Sequence, residues 1–291
     1  MYTIMGITGQ VGAAAARTLL DDGKKVRGIV RDRSKAARWE DQGVELAVAD
    51  YRDKAALESA FRDAEGVFVM IPANFAPAAG YPETREIVAG LRQALDASRP
   101  PKAVHLSSVG AQHATGLGLI TQLHILEQEL STLPIPNAFI RAAWFLENFQ
   151  WDIPSARERG EIASFLHPLE RKFPMVATED IGHLAAKVLQ QQWTGNRFPE
   201  IEGPARYSFL DAAETFSRLL DRPVRAVTVP RETWAGLFAG QGMAPDRTAP
   251  RIEMLDGFNS GWIDFNPGAA EHLRGRRTQE EVFRDLLRKA A

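Results

Sequence analysis

Short apolar runs alternate with amphipathic stretches through the first half of the chain. Residues 2–6 form an apolar run that passes straight into a glycine-punctuated turn. Strong helix formers follow at 13–20, and Asp21-Asp22-Gly23 stops the pattern. Strand-length runs recur at 26–30, 44–48, 66–71, 103–107 and 137–141. Between them the spacing predicts helices over 34–42 (Ser34 as N-cap), 54–61 (Asp53 as cap), 82–97 and 118–132. The run GVFVMI at 66–71 is apolar without alternation, as in a strand covered on both faces. Strands separated by helices require crossover connections, and therefore a parallel sheet. Six such strands predict a Rossmann-like doubly wound α/β fold over residues 1–150.

After residue 150 the rhythm loosens, and prolines break the chain into shorter elements. Helices are expected near 178–190, 209–219, 232–239 and 279–289. Residues 151–291 thus form a smaller mixed α/β substrate region, of which about 174–192 packs back on the first half. Its expected place is over the carboxyl ends of the strands, where open α/β sheets bind ligands.

Composition narrows the function classes. The chain has 291 residues, with Lys plus Arg 35 against Asp plus Glu 37, a formal charge of −2. That balance gives no broad basic field, so direct nucleic-acid binding is not expected. There are no cysteines, which excludes disulfides, Fe–S clusters, thiolate zinc sites and a cysteine nucleophile. The six histidines show no ligand spacing, so no metal site is expected. Apolar runs end far short of a membrane span, as at Pro72, and the N-terminus does not read as a signal peptide. The expectation is a soluble, cytoplasmic protein.

The first turn carries the most specific chemistry. Gly6, Gly9 and Gly12 are spaced GxxGxxG, with Thr8, Gln10 and Val11 between them. Glycines there let the backbone approach a pyrophosphate, and the following helix supplies N–H donors. After the second strand, where an acidic residue would bind NAD ribose hydroxyls, stands Arg31, with Lys35 nearby. A guanidinium at that place suits a 2′-phosphate, so NADP(H) is expected over NAD(H). Asp50 and Tyr51 follow the third strand, Ile71 and Pro72 the fourth, and Ser107 and Ser108 end the fifth. All are expected beside the cofactor.

The loop with serines after the fifth strand resembles the short-chain dehydrogenase superfamily. Its classical members use Tyr-x-x-x-Lys for proton transfer, and none of the four tyrosines here has a Lys four residues on. The chain is more similar to the atypical, NmrA-like branch. Gly6–Gly12, Arg31, the His124-Ile125-Leu126-Glu127 stretch, the 140–149 segment IRAAWFLENF, and Thr178-Glu179-Asp180-Ile181-Gly182 carry that resemblance. Gly203-Pro204 and the 230–234 segment PRETW add to it, so it runs over most of the chain. It implies a quinone-reductase-like enzyme, an isoflavone-reductase-like enzyme or a catalytically inert NADP(H) sensor. The fifth helix lacks the lysine of isoflavone-type reductases, and His124 stands in its neighbourhood, as in the quinone-reductase-like members.

A neutral His124 would bond the nicotinamide ribose or protonate a reduced acceptor; the alternative is a helix histidine paired with Glu127 or Gln128. Trp144, Phe145, Asn148 and Phe149, with Trp151, follow the sixth strand and suit either a wall for a flat acceptor or an interdomain core. Asn148 is the better functional candidate, since an amide among apolar groups needs a partner. Glu179 and Asp180 read as a helix start, and Arg274, Arg276 and Arg277 as a solvated face. Two functions fit. One is NADPH-dependent hydride transfer to a quinone or similar small-molecule acceptor; the other is redox sensing through a protein partner.

Overall fold

The computed structural model describes residues 1–269 and 271–290. Its strands in chain order are β1 (Tyr2–Met5), β2 (Val26–Val30), β3 (Glu45–Val48), β4 (Gly66–Val69), β5 (Ala103–Ser108), β6 (Asn137–Ala142) and β7 (Trp144–Phe145). They continue with β8 (Glu161–Ser164), β9 (Met175–Val176), β10 (Asn196–Arg197), β11 (Glu200–Glu202), β12 (Arg225–Thr228) and β13 (His272–Arg274). The helices are α1 (Gln10–Asp21), α2 (Ala37–Glu40), α3 (Lys54–Phe61), α4 (Pro82–Ser98), α5 (Thr121–Leu130) and α6 (Ile153–Glu158). The later ones are α7 (Thr178–Leu189), α8 (Phe209–Leu220), α9 (Trp234–Gly240), α10 (Ala249–Ser260) and α11 (Gln279–Lys289).

The main sheet is parallel, in the order β13-β11-β6-β5-β4-β1-β2-β3, with β10 also paired to β6. The order reverses between β1 and β4, the switch point at which doubly wound sheets bind ligands. β1 and β4 are buried at every position, so both faces are covered and both strands can be apolar throughout. The core accordingly splits into two clusters, one with α1, α2 and α7, the other with α3, α4 and α5.

The sheet takes β10, β11 and β13 from beyond residue 150. α7, also from that half, lies directly on α1. A Cβ at Gly182 would come within 2.4 Å of the Ala14 Cβ and 2.6 Å of the Val11 carbonyl. The small residues of both helices permit this backbone approach. A two-stranded ribbon, β8 with β12, stands apart from the main sheet, and β7 pairs with β9.

Two local expectations change. The turn after β2 is capped by Asp32, whose carboxylate accepts the Ser34 N–H at 3.0 Å, so Ser34 is not the cap. A 3-10 turn (Arg33–Ala36) then precedes the short α2. The expected helix over 118–132 likewise divides into a 3-10 turn, Gly118–Ile120, and α5.

Candidate functional site

β1 ends at Met5, and Gly6 turns the chain with φ at +66°, a conformation open to glycine at little cost. The Gly6 carbonyl accepts the Gly9 N–H at 2.9 Å, closing the turn. Gly12 fits because a Cβ there would come within 2.3 Å of the Gly6 oxygen and 2.8 Å of the Met5 oxygen. α1 then starts at Gln10 with no side-chain cap and no acidic residue in its first turn. Thr8, Gly9 and Gln10 are exposed, whereas the Val11 side chain is in the core. The open N–H groups and the positive end of the helix dipole therefore face solvent, and a pyrophosphate fits that cradle.

Beyond β2, Arg31 and Lys35 are exposed and make no side-chain hydrogen bond or ion pair among the described residues. Their neighbours are occupied: Asp32 caps the turn, and Arg33 Nε donates to Glu40 at 3.1 Å. Two cations are thus left open beside the cradle. Tyr51 is half-buried; burial pushes its phenol up, and the Arg31 charge is near enough to oppose that shift. Asp50 accepts the Arg52 N–H at 3.0 Å and closes the turn after β3.

Ile71 and Pro72 follow β4 and are half-buried. The next loop is fixed by Gln122, whose Nε2 donates to the Asn74 carbonyl at 2.9 Å. Ser107 and Ser108 separate. The Ser107 hydroxyl is buried and donates to Glu127 Oε1 at 2.6 Å. Glu127 in turn holds Arg141 through bonds of 3.0 and 2.7 Å. Ser107 thus belongs to a buried network, and Ser108 is the half-buried serine at the strand end.

His124 on α5 pairs with neither Glu127 nor Gln128. Its Nδ1 lies 2.9 Å from the Ala111 carbonyl oxygen on the loop leaving β5. A carbonyl only accepts, so Nδ1 carries a proton and donates it to that bond, and Nε2 is the ring nitrogen left outside it.

The aromatic segment divides as well. Trp144 and Phe145 are half-buried, with Trp144 edge-on to Phe258 of α10 at 5.3 Å between centroids. Asn148 is exposed and makes no side-chain hydrogen bond among the described residues. Phe149 is 2% exposed and packs among Phe209, Phe216 and Phe283. It is a core ring and not part of the acceptor wall. Trp151, by contrast, is 80% exposed.

Glu147 is a residue that the sequence reading did not single out. It accepts the Thr178 N–H at 2.9 Å and the Thr178 hydroxyl at 2.6 Å, capping α7. The Thr178 hydroxyl also lies 3.0 Å from Gln10 Oε1, tying that cap to the first residue of α1. Burial pushes the Glu147 carboxyl up, while the Thr178 bonds oppose it. Asp180 accepts the backbone N–H groups of Arg276 and Arg277, at 3.0 and 2.9 Å. The Arg277 guanidinium pairs with Glu179 and Asp285, so it is not a free solvated face. Two segments noticed for their residue patterns, 144–148 and 178–182, therefore meet behind the glycine turn. Among the described residues no group of three or more His, Cys, Asp or Glu side chains is placed to hold a metal. No helix there is long and apolar enough to cross a membrane.

A parallel sheet with a glycine turn at its switch point defines the Rossmann-like α/β class. The model of the NmrA-like family matches residues 2–257, and the chain belongs to that family. It is 26% identical to the NAD(P)H azoreductase of Xenophilus azovorans, over 88% of this chain and 86% of that one. It is 24% identical to quinone oxidoreductase 2 of Escherichia coli strain K12, over 96% and 95% of the two chains. In fold it is similar to the crystal structure of the Escherichia coli NADPH-dependent quinone oxidoreductase with NADPH. The TM-score is 0.78, with 20% identity and 100% of both chains covered.

Proposed function

We propose that the chain is an NADPH-dependent oxidoreductase that reduces a quinone or a similar flat acceptor. The observation that carries this reading is the uncapped, acid-free start of α1 behind the glycine turn, with Arg31 and Lys35 unpaired beside it. The names of the azoreductase and quinone oxidoreductase relatives point the same way. In this reading residues 1–150 carry the cofactor and 151–291 supply the acceptor side. Arg31 and Lys35 hold the 2′-phosphate, which selects NADPH over NADH.

Bound NADPH supplies the hydride. The protein's own part is placement: the first turn of α1 orients the pyrophosphate, and His124 Nε2 accepts a hydrogen bond from a hydroxyl of the nicotinamide ribose. With Nδ1 engaged by Ala111 and Nε2 turned to the ribose, neither ring nitrogen is offered to the product, and water supplies its proton. Asn148, exposed and unpaired, offers its amide to an acceptor oxygen.

The test is NADPH oxidation, followed by loss of nicotinamide absorbance, against quinones and azo dyes. Turnover is expected with NADPH, and Arg31→Glu should weaken NADPH by about 10- to 100-fold while sparing NADH. That range corresponds to one charge-assisted hydrogen bond. His124→Ala should lower kcat about tenfold through lost placement. Tight NADPH binding without turnover on any acceptor would instead favour the redox sensor, which the missing Tyr-x-x-x-Lys pair also suits.

A further inference from the structure

The segment between α10 and β13 is plugged into the loop that leaves β5. Ile263 occupies space that two glycines leave: a Cβ at Gly110 would come within 2.9 Å of it, and one at Gly257 within 2.5 Å. A Cβ at Gly116 would lie 3.0 Å from Trp262 Nε1. Gln112 Nε2 donates to the Asp264 carbonyl at 2.9 Å, and Arg206 grips the Asp264 carboxylate with two bonds of 2.9 Å. The outcome is a fixed ring: Trp262 donates its Nε1–H to the Thr115 carbonyl at 2.9 Å and stacks on His113, centroids 4.1 Å apart and planes 27° apart.

Trp262 remains 48% exposed although its only polar atom is satisfied and His113 covers one face. Such an indole has nothing further to gain from water, and what it exposes is two-ring apolar surface. The loop it sits on continues from the carboxyl end of β5, the side where doubly wound sheets place their ligands.

We propose that Trp262 determines acceptor specificity, its ring being the platform on which a planar acceptor with fused rings stacks. This rests on the oxidoreductase reading, and it adds the acceptor class and the residue that selects it. A single-ring quinone overlaps less of the indole, so the platform favours naphthoquinones over benzoquinones. Trp262 touches the acceptor and leaves the hydride step to the cofactor.

The experiment compares Trp262→Ala, Trp262→Leu and Trp262→Phe with the native protein. In turnover, the ratio of KM for naphthoquinone to KM for benzoquinone should rise about five- to tenfold in the Ala and Leu variants. That is the size of one aromatic pair. Trp262→Phe, which keeps a ring but loses the bond to Thr115, should restore most of the preference. An anchor that only held the loop would depress kcat on both acceptors and leave the ratio unchanged. That result, or a Phe variant no better than Leu, overturns the proposal. Calorimetric titration of the NADP+-loaded protein with naphthoquinone reads the same preference without turnover. A native protein that binds naphthoquinone through Trp262 but oxidises no NADPH would refute the oxidoreductase reading and sustain the platform. Naphthoquinone affinity equal in the native and Leu proteins would refute the platform alone.

Discussion

At the cofactor end, seven consecutive residues form the cradle, and nearly all of its geometry is backbone: a left-handed Gly6, a Gly6–Gly9 bond and an uncapped helix start. At the end proposed for the acceptor, His113, Trp144 and the Phe258–Trp262 stretch come from three separate parts of the chain and work through side chains. The first end admits no added atom at Gly12, because the neighbours there are main-chain oxygens. The second presents side chains, which can be exchanged without altering the main-chain path. A backbone-built site therefore links binding to folding, whereas a side-chain-built site lets binding change while the fold persists.

Three substitutions bear on that contrast. Gly12→Ala sets a methyl 2.3 Å from the Gly6 oxygen, which cannot withdraw without opening the turn. Stability should fall by about 3 kcal/mol in urea denaturation, with NADPH affinity falling in step. A variant that lost binding at native stability would dissolve the distinction between the two ends.

Thr178→Val severs the link among Glu147, Thr178 and Gln10 and leaves a buried carboxylate with one donor fewer. The expected cost is about 2 kcal/mol, measured by the same denaturation. NADPH affinity should fall less than in Gly12→Ala, since the cradle's backbone is untouched.

Asp152→Asn should act in the opposite sense. Asp152 accepts the Ala163 N–H at 3.2 Å, and burial pushes its carboxyl from 3.8 up to about 6. The folded state then holds this proton more tightly than the unfolded chain. Its contribution is therefore fully present at pH below 3.8 and is lost as pH rises through about 6. At pH 7 the charge is a burden, and an amide that keeps the acceptor should raise stability by about 1 kcal/mol. Thermal melts should show that gain vanish in acid; a gain independent of pH would assign it to packing.

The sequence located several elements to the residue, as at Val26–Val30, Gln279–Lys289, and Lys54–Phe61 behind its cap Asp53. α10 gave no such signal: its apolar residues are spread around the helix, because it packs on more than one side. The glycine turn was legible because its chemistry is local. Phe149 was not, since an aromatic residue after a strand reads alike whether it faces a core or a cleft. The partner of His124 was hidden for another reason: a backbone carbonyl carries no residue identity, and Ala111 looks like any loop alanine. Trp262 lay outside every motif, and only its stack on His113 gives it meaning.

The outer edge of β6 is completed by β10 and β11 in tandem, one on Asn137 and Ala138, the other on Arg141 and Ala142. During synthesis the first six strands leave the ribosome with that edge bare, and it stays so until residues 196–202 have followed. Unpaired strand edges are sticky, so the nascent chain passes through a period in which it can pair with a neighbour instead of itself. A stop codon near residue 150 would make that period permanent, and the product would collect as aggregate and not as a free N-terminal half.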